Sequence, residues 1–336
     1  MDDSEIFHHE HFDNAKEFLD YLRPSKPHWQ SNGWSSNWLF RGQSNPLDEN
    51  GKEMWKLLPS AWRNSSLRNY DDILQRQPRL EKIIEEESKN WLQDRYNGEL
   101  SSIYVENAQK VVRYAFMELL FVNKFVDLAN AIGFPSPDWI KWEVPDADFI
   151  VSYYARLLID SSDNNYRWLH PILPLAQHHG ISTRLLDWTQ NPITSAYFAV
   201  LSYNSSGKID KELTKDIVIY AFHTSSLYSK NNRKIAPIAS PNSDNHYQHK
   251  QKGILLLNPL ADSYYIQHGH FPSFDEVFRT IKIVSDVNNP YRKITLVKSE
   301  VQELERLLWL EDISLAHLMP SLDNVARTVK SQLGVD

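Results

Sequence analysis

Two stretches of this chain hold side chains suited to chemistry. Residues 177–200, QHHGISTRLLDWTQNPITSAYFAV, set two adjacent histidines, an Arg-Leu-Leu-Asp-Trp core and an Asn-Pro helix opener beside an aromatic-rich segment. A buried element is mostly aliphatic and a loop is mostly small and polar, so packing alone does not explain the mixture. Residues 38–43, WLFRGQ, end a short apolar run with Arg41 and break it with Gly42. An arginine at a strand end can present a fixed fork to phosphate or carboxylate. The same side chain can instead form a salt bridge to an acid of the helical segment that follows.

His178 and His179 are neighbours, and on an extended segment neighbouring side chains point to opposite faces. One is expected to bond inward and the other to face a cleft. His179 is the candidate acid, base or donor, since imidazole titrates near neutrality. A purely structural histidine is the alternative. No HExxH or Cys/His spacing marks a zinc site, and no metal is expected. Arg184 and Asp187 are three apart and do not share a strand face; a bend near Leu186 would join them. The two readings are an Arg184–Asp187 pair that locks the turn and a site to which Asp187 gives a carboxylate. Asn191 as N-cap and Pro192 in the first turn open a helix whose alanines and aromatics suit close packing. A third stretch, QHGHF at 267–271, adds Gln267, which can orient a hydroxyl, and Glu276 lies nearby as a further carboxylate.

These pieces occur in one order: WLFRGQ, then LLPSAWR at 57–63, QHHGISTRLLDWT, QHGHF, and MPSLDNVA at 319–326. In that order they resemble the FRG-domain family, named for its Phe-Arg-Gly tripeptide. The resemblance covers almost the whole chain, and TRLLDW is its specific piece. At the level of pattern the order is also similar to the ADP-ribosyltransferase superfamily. There an Arg or His on a first strand holds the NAD phosphates or ribose. A Ser/Thr motif on a second strand leads into a helix with an A-x-x-[YF]-A-like face. A third strand-edge residue, usually Glu, acts near the ribose.

Carried onto this chain, the resemblance implies NAD as co-substrate, bound by Arg41, Gly42, Gln177, Arg184 and Trp188. It implies that Arg41 holds phosphate, Thr183 and Gln267 orient ribose, and His179 or Asp187 handles proton or charge. Gln267 stands where the superfamily has a carboxylate. The implied activity is ADP-ribosyl transfer or NAD cleavage by an effector, a toxin of bacterial conflict or of phage defence. Its ligand would be a small-molecule nucleotide and its acceptor an unknown protein or nucleic acid. No GxGxxG fingerprint indicates a Rossmann route to NAD. Two other classes stay open. One is a nucleic-acid binding or processing module, with arginines on phosphate and aromatics on bases. The other is a non-catalytic ligand-sensing or interaction domain.

Composition narrows these classes. The net charge of −7 disfavours non-specific nucleic-acid binding, whose affinity comes largely from phosphate neutralisation. Cysteine is absent, which excludes disulfides and cysteine-ligated zinc and fits a reducing compartment. The acidic N-terminal segment is unlike a signal peptide, and no stretch reaches the roughly 20 apolar residues of a membrane span. The expectation is a soluble cytoplasmic protein without membrane contact.

The positioning elements are read from periodicity. Residues 14–23 predict an amphipathic helix capped by Asn14. Residues 38–41 predict a short strand closed by Gly42 and by Ser44-Asn45-Pro46. Residues 66–132 are strongly helical, with a stop at Gly133, and 145–160 suggest one more helix. The span 66–150 is read as a helical insertion within a single FRG-type domain, 1–336. Residues 216–222 predict a buried strand, 254–257 and 293–297 two more, and 299–310 and 321–333 two helices, the last capped by Ser321. Residues 202–214 and 224–252 read as loops. Strands interleaved with helices and no βαβ rhythm predict an α+β fold of mixed small sheets around a large helical insertion, with an ADP-ribosyltransferase-like core as the implied variant.

Overall fold

The computed structural model describes residues 7–31, 36–46, 56–95, 101–134, 172–205, 208–227, 234–238, 250–281, 287 and 289–333. Strand β1 (His8–Phe12) leads into helix α1 (Ala15–Leu22), where the Asn14 carboxamide accepts from the N–H groups of Lys16 and Glu17. Phe18, Leu19 and Leu22 form its buried stripe. Strand β2 (Trp38–Pro46) follows, then the helical block α2 (Asn64–Gln75), α3 (Pro78–Arg95) and α4 (Ser102–Ala131). Helix α5 (Ile172–His178), strand β3 (Leu186–Thr189) and helix α6 (Pro192–Asn204) carry the QHHG-to-AYFA run. Next come α7 (Lys208–Leu213), β4 (Thr214–His223), β5 (Ala236–Ile238) and β6 (Gly253–Leu257). The chain closes with α8 (Ala261–His268), α9 (Phe274–Arg279), β7 (Tyr291–Val297), α10 (Val301–Leu310), α11 (Leu315–Leu318) and α12 (Leu322–Gln332).

The strands form one seven-stranded sheet in the order β1-β7-β4-β2-β3-β6-β5. Among the described residues β1 and β7 pair in parallel and the other pairs are antiparallel. With helices on both faces this is an α+β fold. Strand β4 explains why the sheet is central. Its Ile217, Ile219 and Ala221 join Phe40, Ala196 and Ala199 in one core, while Val218, Tyr220 and Phe222 join Leu39, Trp188 and Phe278 in another. A strand that buries both faces needs apolar residues at consecutive positions, which is the pattern of 217–222. A third core unites Val111, Ala115 and Leu119 of α4 with Ala176 of α5 and with Tyr265 and Ile266 of α8. The helical block thus shares a core with the elements that carry the histidine motifs.

Several expectations are corrected. Strand β2 does not close at Gly42; it stays paired with β4 from Trp38 opposite His223 to Pro46 opposite Thr214. Gly42 serves a close approach of α6 to the strand, and Ser44-Asn45 continue the ladder. The described part of 202–214 is not a loop: α6 runs to Asn204, α7 spans Lys208–Leu213 and β4 begins at Thr214. Strand β1 carried no apolar alternation to predict it; it is an edge strand registered on β7. QHGHF is no strand edge. Gln267 and His268 end α8, and Gly269 caps it at φ 77°. The predicted helix at 145–160 and much of 224–252 lie outside the described residues.

Four histidines give a pH dependence. Burial, the leading cause in each case, lowers the pKa of His9, His28, His178 and His223 from the ordinary 6.5. A base whose folded pKa is depressed favours the fold while it is neutral. Its contribution is present above the unfolded pKa and is lost as pH falls through the folded one. The melting temperature should therefore drop between about pH 7 and about pH 5, before carboxylates titrate. Thermal unfolding followed by circular dichroism checks this; a flat profile over that range contradicts it.

Candidate functional site

Strands β2 and β3 share one registered pair, Phe40 opposite Thr189. Beyond it β2 continues on β4 and β3 on β6. Where the strands part, a cleft of about 930 Å³ opens, lined from β2, β3, β6, α5, α6 and the segments around Arg63 and Ser273. That size lies within the range of small-molecule sites, about 300–1,000 Å³.

Arg41 reaches across the gap. Its Nη1 donates to the Asp187 backbone carbonyl at 2.8 Å and lies 3.9 Å from Asp187 Oδ2. The side chain is 15% exposed, and its Nε is buried without a hydrogen-bond partner. Burial pushes the guanidinium down to about 10; the Asp187 carboxylate opposes that shift, and the Arg63 charge adds to it. Arg63, from the LLPSAWR piece, also lines the cleft and donates from Nε to the Leu58 carbonyl at 3.3 Å. Burial lowers its pKa too, again against Asp187. The buried Arg41 and the exposed Arg63 therefore act on one carboxylate, and the exposed Lys56 and Arg68 add positive charge to the lining of the cleft.

Asp187 itself is open, with 64% of its side chain exposed. It is held by a relay. Thr183, fully buried, donates from Oγ1 to Gln177 Oε1 and accepts the Leu185 N–H at 3.3 Å. Gln177 then donates from Nε2 to Asp187 Oδ1 at 2.6 Å. Because the threonine hydroxyl fixes the oxygen end of the Gln177 amide, the nitrogen end is left to grip the carboxylate.

Arg184 does not pair with Asp187. It precedes β3 and turns into the helical block, where it is 3% exposed. Its backbone N–H and Nε donate to Glu118, both at 2.7 Å, and Nη1 donates to Asp262 Oδ2 at 2.9 Å. Burial raises the Glu118 pKa, and the charge and hydrogen bonds of Arg184 oppose the rise. This triad joins α4, the segment before β3, and α8.

Of the residues expected at a site, Arg41, Gly42, Gln177, Asp187 and Trp188 line the cleft. The Trp188 indole packs edge-on against Phe222 at 5.2 Å, and its buried Nε1 lacks a hydrogen-bond partner. Thr183 lies beneath the cleft and reaches it only through Gln177. His179 is exposed and stacks on Phe125 at 5.6 Å, whereas His178 lines the cleft. The segment is the last turn of a helix, where successive side chains are about 100° apart and not opposed as on a strand. Gln267 is exposed on α8, outside the lining. Glu276 does line it, while its Oε2 accepts the Ser273 N–H at 2.8 Å in a capping box. Sequence reasoning gave no role to Lys56, Arg63 or Arg68, and of the two adjacent histidines it is His178 that lines the cleft. Arg63 had a signal, its place in LLPSAWR; Arg68, on one helix turn among many polar residues, had none.

Among the described residues no group of three or more His, Asp or Glu side chains is arranged to hold a metal ion. No helix among them is long and apolar enough to cross a membrane. The FRG domain family model matches residues 146–208, which include α5, β3 and α6, and the chain carries an FRG domain there. Searches of curated proteins and of solved structures return no match.

Proposed function

We propose that this FRG-domain chain binds a nucleotide carrying a pyrophosphate in its cleft, and that it cleaves NAD or transfers its ADP-ribose in an ADP-ribosyltransferase-like reaction. The supporting observation is a buried arginine, Arg41, set against one exposed and oriented carboxylate, Asp187, with the exposed Arg63 lining the same cleft. Guanidinium donors match phosphate oxygens, and a phosphate would satisfy charge that Asp187 alone leaves under-compensated. Asp187 then faces the ribose. When the bond from ribose C1′ to the pyridine nitrogen breaks, its electron pair leaves with nicotinamide. The carboxylate stabilises the positive charge left on the ribosyl group. Water or an acceptor nucleophile adds at C1′ and gives up its proton to Asp187. In this reading Gln177 and Thr183 position the carboxylate, and His179 and Gln267 have no part in the step.

Nicotinamide release from NAD, read by NMR, is the test. Wild-type protein should release it, and Asp187→Asn and Arg41→Ala should each lower the rate by about 10²–10³. Far-UV circular dichroism confirms that the variants fold. No release and no broadening of NAD resonances with wild-type protein would overturn the NAD reading. Full activity in both variants would overturn the assigned roles. Salt-dependent binding of an oligonucleotide in place of NAD would turn the row Lys56, Arg63 and Arg68 into a nucleic-acid surface.

A further inference from the structure

Helix α12 is amphipathic, but it docks by its polar side. Asn324 Nδ2 donates to the Met319 carbonyl at 2.7 Å, Thr328 Oγ1 accepts the Ala316 N–H at 3.3 Å, and Ser331 Oγ donates to Glu305 of α10 at 2.8 Å. On the opposite side Leu322, Val325, Val329 and Leu333 are 87%, 45%, 47% and 72% exposed. No residue of the helix is buried. Spacings of three and four place these four side chains on one stripe. A helix normally turns such a stripe to its own core. One that spends its polar side on the body and offers its apolar side to water is built for a partner.

We propose that the partner is α12 of a second copy of this chain, packed antiparallel about a two-fold axis. The four side chains, spaced three, four and four apart, form a continuous apolar strip, and a two-fold axis lays such a strip on its own copy. Asp323 and Lys330 lie on one flank of the stripe, in the first and last turns. A two-fold axis across the helix brings like flanks together with their ends reversed, so Asp323 of each copy meets Lys330 of the other. The opposed helix dipoles favour the same arrangement. A two-fold, self-complementary contact is the commonest form of homo-oligomer. One three-turn stripe is smaller than a standard interface of about 1,200–2,000 Å², so the dimer should form at high concentration and dissociate on dilution.

Sedimentation velocity of the full chain over a dilution series tests this. Wild-type protein should pass from dimer to monomer on dilution. Val325→Glu with Val329→Glu should be monomeric throughout, with unchanged circular dichroism and melting temperature, since neither side chain belongs to a hydrophobic core. Asp323→Lys should weaken the dimer about tenfold, and adding Lys330→Asp should restore it. Wild-type protein that stays monomeric, or a dimer indifferent to these substitutions, overturns the proposal. So does a monomer that sediments with phosphatidylglycerol vesicles and loses them in the Val325→Glu, Val329→Glu variant; the stripe would then belong to a lipid surface.

Discussion

Arg184→Met should lower the unfolding free energy by about 3–5 kcal/mol, read as a shift of the urea midpoint at neutral pH. The methionine fills much of the arginine volume, so the loss is electrostatic. It leaves Glu118 and Asp262, 2% and 3% exposed in their side chains, without the guanidinium that both accept from. The backbone N–H of residue 184 still reaches Glu118, but one neutral donor cannot compensate two buried carboxylates. The pH dependence identifies the cause. Burial already raises the Glu118 pKa against the pull of Arg184, and removing the arginine raises it further. An acid with a raised folded pKa stabilises the fold below its unfolded pKa and loses that contribution as pH rises through the folded one. The deficit of the variant relative to wild type should therefore shrink as pH falls toward 5 and grow above neutrality. Converting the whole triad with Glu118→Met, Arg184→Met and Asp262→Leu should recover much of the loss, because no charge then remains buried. A single variant within about 1 kcal/mol of wild type, at constant deficit across pH, would show that the triad is not holding α4 and α8 to the TRLLDW segment.

How far a residue could be read from sequence depended on the distance to its partner. The Asn14 cap, the Ser321 cap and the α1 stripe are decided within one helix, and all appear as expected. Strand β4 was legible because both its faces are buried and a continuous apolar run leaves no other choice. The partners of Arg184 were not legible. TRLLDW offers Asp187 three residues away, whereas the carboxylates it meets come from α4 and α8, each more than sixty residues distant in sequence. The helix at 172–178 hid for a different reason. It is one short element with Pro174 inside, and QHHG at its end has no apolar period to separate turn from strand. The LLPSAWR piece marks Arg63, but only the folded chain brings residues 41, 63 and 187 to one cleft.

The largest steric effect should come from Gly42→Ala, with a loss of at least about 3 kcal/mol and a lowered urea midpoint. A Cβ at this position would stand 1.8 Å from the Ser195 carbonyl oxygen, 2.8 Å from its carbon and 2.9 Å from the Ala199 nitrogen. These are backbone atoms of α6, so no side-chain rotation relieves them; the helix itself must move away from β2. The alternation of the strand then accounts for the Phe-Arg-Gly tripeptide. Phe40 and Gly42 share the face under α6, the first filling the core at 0% exposure and the second letting the helix down onto the strand. Arg41, between them, is turned to the other face and across the gap to Asp187. A lifted α6 also carries Phe198 and Leu201 away from the cleft they line, so ligand affinity should fall together with stability. Gly180→Ala is the contrasting case. Gly180 has φ +87° with nothing within 4 Å of a Cβ, so only backbone strain of roughly 1–2 kcal/mol is expected. If the two alanine variants proved equally mild, the close approach of helix and strand would be wrong, and the tripeptide would need another explanation than one core residue, one site residue and one contact that admits no side chain.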